Sequence, residues 1–303
     1  MSPFRKVLSR ALVICSVLSI SPALFAQAQC GTQPLKVPLP ARASISPSDL
    51  NDKGAIVGTL TSVTPAGTES FTGFLFSQGV FTHFRFPGSI DTRPGDINNH
   101  GVIVGSFTLN FNGPSHAFMV HNGVFTEIKL PGFPNADVSA AGINDLGDIT
   151  GAVFANGVHQ SYLLHQGKVT LISFPGALGG TAAASINNAG VIVGVFRTGP
   201  ESTDHAGGFT WKNGVFTTVE VPGSNDTFPL KINDKGVIVG LDFDSQDVNR
   251  GFAFANGQFF NLVPDPVGTD VFALNNFNNV LGQIQSGAFG PGGLFKGFCS
   301  NVF

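Results

Sequence analysis

Short stretches of alternating apolar and polar residues dominate the chain after residue 35. One recurring run has the form GxIVG, and another has the form VFTxxxFPG, with apolar residues at every second position. Alternation with a period of two is typical of β-strands that bury one face. Neither run has the 3.6-residue period of a helix, and Pro-Gly ends the second run in most copies. The pattern predicts an all-β structure built from short strands.

Six copies of one unit account for this pattern. Each copy has an anchor asparagine and a glycine seven residues later, and successive anchors are 42 to 47 residues apart. A period in the forties is typical of β-propellers and of repeat arrays. The anchors are Asn51, Asn98, Asn144, Asn187, Asn233 and Asn275, and the glycines are Gly58, Gly105, Gly151, Gly194, Gly240 and Gly282.

Each unit supplies four strands joined by two tight turns. The first strand ends at the anchor asparagine, and a glycine-containing turn leads into the GxIVG strand; a GFxF strand and a second glycine turn lead into the VFT strand. Glycine supplies the positive φ that tight hairpins require, and Asn278, which replaces it in the sixth copy, is the next most tolerant residue type. Since one blade cannot bury both faces alone, the repeat predicts a six-bladed β-propeller.

The two ends of the chain indicate how the ring closes. Residues 34–42 (PLKVPLPAR) look like a fourth strand without preceding strands, whereas the last unit stops after its third strand. We therefore expect the N-terminal strand to complete the last blade. Aligning Pro40 with Pro87 places Cys30 and Cys299 about two positions apart, which is within reach of a disulfide bond.

Residues 1–28 have the features of a secretory signal peptide. Three basic residues precede an apolar run over residues 11–20, and residues 26–28 (AQA) form a small-x-small cleavage site. The run is much shorter than the roughly 20 residues that span a bilayer, which argues against a membrane anchor. We expect a secreted or periplasmic bacterial protein in which residues 29–303 form one propeller domain and the two remaining cysteines pair in an oxidising compartment.

The composition argues against several classes of protein. The 303 residues are 42% hydrophobic and 12% charged, with 30 Phe, 39 Gly and 19 Pro. The apolar content argues against disorder, and the Gly and Pro content argues against a coiled coil. Without the leader, 13 basic residues face 19 acidic residues, and this net charge of −6 has the wrong sign for nucleic-acid binding.

The units resemble the bacterial HAF-type extracellular repeats, in which an INNxGxIVG segment alternates with a HAFLWxNG-like segment. His116-Ala117-Phe118 with Asn122-Gly123 matches the second segment, and His205-Ala206 followed by Phe209 matches it with an insertion. The other units replace the His-Ala pair. The resemblance covers about residues 35–303 and implies export and repeated β structure. It implies no activity and no catalytic residue.

The loops between the second and third strands vary most between copies, so we expect ligand binding on that face, around the central channel. Loops between units place Thr and Asp at recurring positions, which predicts a polar ligand-binding ring at the channel mouth. The alternative is local turn bonding by the same side chains. The candidate ligand-binding residues are Asp91, Thr92, Thr181, Asp226, Thr227 and Asp270.

One loop has the residue types of a calcium site. Asp242, Asp244 and Asp247, with Asn249, place carboxylates at spacings from which they can converge on a hard cation. The alternative is a solvated acidic loop. Turns such as Asn51 to Gly54 also invite a calcium interpretation, but hairpin chemistry explains them. No cofactor other than calcium is expected.

No catalytic residue is assigned, because the histidines form no ligand set and no nucleophile motif is present. The first hypothesis is a secreted, non-enzymatic, monomeric propeller that binds an extracellular protein, glycan or cell-wall polymer. The alternatives are a propeller hydrolase or lyase with a site at the channel mouth, and a structural matrix protein. Three or more acidic or histidine side chains from different blades that converge in the channel would favour the enzyme.

Overall fold

The structure is a computed structural model that describes residues 26–27, 30–155, 157–199, 205–246, 248–262, 268–284 and 293–299. Nearly all of the predicted leader lies outside the described residues. Its cleavage stays a prediction, and so does the single-domain boundary at residue 29.

The described residues form 25 strands, as the alternating pattern predicts. Two strands precede the first complete unit, namely β1 (Ala26–Gln27) and β2 (Cys30–Pro34). The first unit comprises β3 (Ala43–Leu50), β4 (Ile56–Val63), β5 (Glu69–Ser77) and β6 (Val80–Phe84). The second comprises β7 (Asp91–Ile97), β8 (Ile103–Thr108), β9 (Ser115–His121) and β10 (Val124–Ile128). The third comprises β11 (Asp137–Ile143), β12 (Ile149–Ala155), β13 (Val158–His165) and β14 (Lys168–Ile172). The fourth unit comprises β15 (Thr181–Ile186), β16 (Ile192–Arg197), β17 (Ala206–Lys212) and β18 (Val215–Val219). The fifth comprises β19 (Asp226–Ile232), β20 (Ile238–Phe243), β21 (Asn249–Ala255) and β22 (Gln258–Asn261). The sixth comprises β23 (Thr269–Leu274), β24 (Asn279–Ile284) and β25 (Gly293–Cys299).

Each unit is a four-stranded antiparallel sheet in which consecutive strands are neighbours. A single parallel bridge between Phe71 and Asp91 links the first two units, and β1 adds a short parallel strand to the outer edge of the fifth. In the sixth unit the order is β2-β25-β24-β23, so a strand from the N-terminus supplies the fourth position. The four-strand unit and the completion of the last sheet by the N-terminus are confirmed.

The predicted location of that N-terminal strand was wrong. Strand β2 spans Cys30–Pro34, and residues 35–42 contain no strand. Pro38 and Pro40 have no backbone N–H to donate to a sheet, which disfavours pairing along that segment. Cys30 therefore lies directly opposite Cys299 rather than two positions away, and the predicted disulfide between them is present.

The two turns of each unit have the chemistry that the glycines predict. In the second unit, Gly101 in the first turn has a φ of 80°, and Asn278, its counterpart in the sixth unit, has a φ of 64°. Asn122 and Gly123 in the second turn both have positive φ, as a type I′ hairpin requires. These turns fix the register of every sheet.

The glycine seven residues after each anchor has a steric reason. A Cβ at Gly105 would stand 2.2 Å from the backbone oxygen of Arg93, on the neighbouring first strand of the same unit. The corresponding distances at Gly58 and Gly151 are 2.3 and 1.9 Å. The first and second strands therefore approach too closely for any side chain.

Apolar clusters fill the seams between neighbouring units. One cluster joins Val104 of the second unit to Tyr162 of the third, and another joins Val239 of the fifth to Phe295 of the sixth. A further cluster packs Phe74 of the first unit with Leu281 of the sixth, although the two lie far apart in the sequence. Packing between units thus accounts for much of the phenylalanine content.

Candidate functional site

The anchor asparagines form a hydrogen-bonded cycle that we call the asparagine ring. Nδ2 of each anchor donates to the backbone oxygen of the next anchor at 3.0–3.3 Å, and the last anchor, Asn275, donates to Asn51. At Asn51, Oδ1 accepts from the backbone N–H groups of Lys53 and Ala55 inside the turn. The side chain thus stabilises its own turn with the oxygen and reaches the next unit with the nitrogen, which only an amide can do.

The residues after the anchors form a second cycle, the Asp/Asn ring, in which aspartate and asparagine alternate. Its members are Asp52, Asn99, Asp145, Asn188, Asp234 and Asn276. Each backbone N–H donates to Oδ1 of the next member at 2.7–2.9 Å. Each asparagine Nδ2 also donates to Oδ2 of both flanking aspartates at 2.8–3.1 Å. The alternation pairs every amide with two carboxylates.

A buried ion cluster lies beside the rings. Nζ of Lys231 stands 3.0 Å from Oδ1 of Asp96 and 3.4 Å from Oδ1 of Asp49, at angles outside those of a hydrogen bond. The second carboxylate oxygens accept from the backbone N–H groups of Ile97 and Ile143. Glycine, serine and alanine hold the corresponding positions of the other units, so this cluster breaks the repeat.

The two carboxyl groups of this cluster titrate differently. Burial raises the pKa of Asp49 well above its ordinary value, and the charge of Asp96 adds to that rise. Burial also opposes ionisation of Asp96, but Lys231 outweighs it and lowers the pKa of Asp96. Burial disfavours the ammonium of Lys231, yet the two carboxylates raise its pKa overall. Lys231 thus favours the ionised form of Asp96, whereas burial and the charge of Asp96 disfavour the ionised form of Asp49.

The end of the strands that carries the rings, which we call the turn end, offers little to a ligand. The cavity there has about 70 Å³, and it is lined by both rings, Asp49, Asp96 and Lys231. Acidic side chains from different units do converge here, which is the feature expected of a propeller enzyme. In the Asp/Asn ring, however, every carboxylate oxygen already accepts hydrogen bonds from neighbouring units.

A larger cavity, the central cavity, lies on the other side of Lys231, toward the end of the strands that carries the variable loops. Its volume is about 370 Å³. Each of the six first strands contributes to its lining the residue three positions before the anchor: Ser48, Gly95, Ala141, Ala184, Leu230 and Phe272. Arg93 and Lys231 are its charged lining residues, and no carboxylate is among the described residues that line it. The cavity is thus mostly apolar, with cationic groups at its edge and floor.

Two neighbours hold Arg93 in place at this cavity. Its Nε lies 2.8 Å from Oδ2 of Asp91, and its guanidinium carbon stands 4.1 Å from the ring centre of Phe71. The side chain is 50% exposed. In the described part of the chain, neither terminal Nη group of Arg93 has a hydrogen-bond acceptor.

The predicted ligand-binding aspartates lie in the seams between units and do not line the central cavity. Asp91 pairs with Arg93, as described. Asp226 accepts a hydrogen bond from the backbone N–H of Ala206, on the third strand of the preceding unit. Asp270 accepts one from the side-chain amide of Asn249, which also lies on the third strand of the unit before it. The structure therefore distributes these residues over separate seams.

The predicted threonines are buried in the same seams and bond locally. Oγ1 of Thr92 accepts from Phe86 N–H at 3.1 Å, and Oγ1 of Thr227 accepts from Val221 N–H at 3.0 Å. Thr181 makes the corresponding bond to Phe174 at 2.8 Å. This is the local turn bonding that the sequence left as the alternative. A ligand-binding role for these residues stays a prediction.

The predicted calcium loop is only partly described, because Asp247 lies outside the described residues. Asp242 is buried and accepts from Ser224 Oγ at 2.5 Å and from Arg250 Nη2 at 2.9 Å. Backbone N–H groups of Gln246 and Val248 donate to Asp244 and lower its pKa. Among residues that the structure describes, no group of three His, Cys, Asp or Glu side chains is placed to hold a metal. Calcium binding stays a prediction.

The sequence analysis did not predict the Asp/Asn ring or the position of Arg93 at the central cavity. Both had a signal in the sequence. The residue after each anchor alternates between Asp and Asn through all six copies, and Arg93 is the one basic residue at its position in the repeat.

Solved structures share this architecture. A protein of unknown function from Dyadobacter fermentans has a TM-score of 0.54 at 12% identity, over 88% of this chain and 98% of that chain. TolB from Acinetobacter baumannii has a TM-score of 0.52 at 12% identity, over 83% and 65%. The β-propeller domain of the Trilobed protease from Pyrococcus furiosus has a TM-score of 0.51 at 11% identity, over 80% of both. At these identities the likeness shows the fold alone, an all-β fold of propeller type.

No protein-family model and no curated protein matches the sequence. Within the described ranges, no helix is long and apolar enough to cross a bilayer.

Proposed function

We propose that the chain is an exported, non-enzymatic, six-bladed propeller that binds a ligand in its central cavity. The observation that carries the proposal is the contrast between the two ends of the molecule. Hydrogen bonds within the two rings occupy the turn end, whereas a cavity of about 370 Å³ lies toward the variable loops. Ligand sites in proteins commonly have about 300–1,000 Å³ and a mostly apolar lining with a few polar groups.

Closure into six blades is supported by contacts between the first and last units. The asparagine ring and the Asp/Asn ring both continue from the sixth unit to the first. The Cys30–Cys299 disulfide ties β2 to β25 in the last sheet. A disulfide is typical of an oxidising compartment, which accords with the secretory features of the leader and with the HAF-type resemblance.

A binding role is favoured over catalysis by the residues at the cavity. Its described lining has no carboxylate, histidine or cysteine that would serve as a general base or nucleophile. The converging acids lie at the turn end and are held by hydrogen bonds there. A propeller that positions a ligand without transforming it fits this distribution.

A thermal-shift screen tests the proposal. Residues 29–303 and the Ala184→Phe variant are screened against calcium, a chelator, soluble glycans, cell-wall fragments and small organic acids and amines. Leu230 and Phe272 hold the same repeat position as Ala184, so the fold already accommodates bulk there. We expect at least one compound to stabilise the wild type and not the variant. Equal shifts in both proteins would place binding outside the cavity, and no shift in the wild type would contradict a small ligand.

A further inference from the structure

We propose that the ligand of the central cavity is a small organic acid, a carboxylate on a compact apolar body, and that Arg93 binds the carboxylate. This inference rests on the proposed function and specifies its ligand class. It follows from the one place where a charged, exposed side chain at the cavity departs from the sixfold repeat. The equivalents of Arg93 in the other units are Ser46, Ser139, Ala182, Phe228 and Asp270.

Arg93 is held in a geometry suited to an anion. The bond from its Nε to Asp91 and the contact with the ring of Phe71 fix the guanidinium plane. The two Nη groups stay without an acceptor in the described part of the chain, although the side chain is half exposed at the cavity. A guanidinium with both terminal nitrogens available binds carboxylates in a bidentate manner. Asp91 is thereby a positioning residue for Arg93.

The remainder of the cavity suits an apolar body. Gly95, Ala141 and Ala184 line the cavity with small residues, and Leu230 and Phe272 supply bulkier apolar surface. The hydroxyl of Ser48 donates to the backbone oxygen of Pro94, so it is already engaged. A ligand rich in hydroxyl groups would leave most of them without partners against this surface.

Lys231 also lines the central cavity, but its ammonium is engaged by other groups. It lies at the ion cluster with Asp49 and Asp96, both of which line the cavity at the turn end and not the central cavity. The charges that face the central cavity are consequently cationic. An organic ammonium would meet Arg93 at the rim and no carboxylate among the described lining residues.

Three compounds with the same ring and different charge test this inference. Benzoate, benzamide and benzylammonium are titrated by calorimetry into wild-type residues 29–303 and into the Arg93→Gln, Lys129→Gln and Ala184→Phe variants. Lys129→Gln is the matched control, because it removes one positive charge from the same unit at a side chain that is 80% exposed. We expect benzoate to bind the wild type at least about tenfold more tightly than the other two compounds. A hydrogen bond to a charged group commonly changes the affinity by about that factor or more.

The variants separate this inference from the proposed function. We expect Arg93→Gln to weaken benzoate binding about tenfold or more and leave benzamide unchanged, Lys129→Gln to change neither, and Ala184→Phe to abolish both. If benzamide or benzylammonium binds as tightly as benzoate, and Ala184→Phe abolishes that binding, the organic-acid inference is overturned while the cavity remains the binding site. Failure of all three compounds to bind the wild type overturns the inference, and the broader screen then decides the proposed function.

Discussion

The backbone N–H of Asn276 donates a 2.8 Å hydrogen bond to Oδ1 of Asp52, although 224 residues separate them in the sequence. The same relationship between successive units recurs around the Asp/Asn ring. A contact made six times between neighbours becomes a contact between the two ends of the chain when the sixth unit meets the first. The stability of the molecule should therefore depend on this ring and on the disulfide that joins the last sheet.

Replacing Asp145 by Asn breaks the alternation of the Asp/Asn ring. Asn99 and Asn188 then direct their Nδ2 groups toward a third amide, and hydrogen bonds of 3.0 and 3.1 Å are lost. We expect a loss of about 1 to 2 kcal/mol in the free energy of unfolding, measured with urea. Asp137→Asn is the control, because its carboxylate makes no side-chain hydrogen bond among the described residues. Equal effects of the two substitutions would contradict a structural role for the ring.

The pH dependence of Asp145→Asn has a defined sign. Burial raises the pKa of Asp145, but hydrogen bonds from Asn188 and Asn99 outweigh it and hold the pKa below its ordinary value of 3.8. The carboxylate thus stabilises the folded state fully above pH 3.8, and that contribution is lost as the pH falls through the lower folded pKa. The difference between wild type and variant should shrink in acid, as urea unfolding at pH 3 and pH 7 would reveal.

Removing the disulfide should lower the thermal midpoint substantially. The chain-entropy model gives about 5 kcal/mol for a loop of this size, or about 10 °C for a protein of this length. The Cys30→Ala/Cys299→Ala double variant is compared with the oxidised wild type by calorimetry. A reducing agent should bring the wild type to the midpoint of the variant and leave the variant unchanged. Coincident midpoints for the oxidised wild type and the variant would show that the bond contributes nothing.

Lys231→Met should be strongly destabilising at neutral pH. It leaves Asp49 and Asp96 buried without a cation, a change that typically costs about 3 to 5 kcal/mol. The cost should be smaller at pH 4. There the variant can protonate its buried carboxyl groups, which reduces the cost of the missing cation. The wild type keeps the contribution of Asp96 at pH 4, because the folded pKa of that carboxyl lies below its ordinary value of 3.8 and the contribution is lost only as the pH falls through that lower pKa.

Two variants control for this result. Lys53→Met removes an exposed lysine and should change the unfolding free energy by no more than about 0.5 kcal/mol. The triple variant Asp49→Ser/Asp96→Ser/Lys231→Ala carries residue types found at the same position in the fourth and sixth units, and it should recover much of the loss. A cost that is the same at pH 4 and pH 7 would argue that lost packing, and not uncompensated charge, causes the effect.

The first turn of the second unit should accept asparagine better than alanine. Gly101 has a φ of 80° with open space around the position of a Cβ, and Asn278 already adopts a φ of 64° at the equivalent site. We expect Gly101→Ala to cost about 1 kcal/mol or more and Gly101→Asn to cost less. The order of the two midpoints in thermal unfolding checks this, and the reverse order would contradict the assigned turn geometry.

Local chemistry made much of the fold predictable. The glycines that end each hairpin and the alternating strands determine the four-stranded units, because turn geometry and strand burial depend on neighbouring residues. The register of the N-terminal strand was not predictable in the same way, since Pro38 and Pro40 both fit the proline of the repeat. Pairing of Cys30 with Cys299, which depends on contacts across the whole chain, decides it.

The central cavity and its charged lining residues were not predicted, for a physical reason. The recurring Thr and Asp residues stood out because they recur, but recurrence reflects the seam that every unit forms with its neighbour. A residue at the centre that departs from the repeat gives no such recurring signal. Arg93 and Lys231 are such residues, and their significance depends on their distances from Asp91, Phe71, Asp49 and Asp96, which no local pattern contains.

An NMR titration of isotopically labelled residues 29–303 with benzoate tests most directly the claim that the turn end is structural and the loop end binds. The backbone amide shifts should concentrate at residues of the central cavity, with Gly95, Ala141 and Ala184 among them. Shifts concentrated instead at the first turns, at Gly54, Gly101 and Gly147, would contradict it.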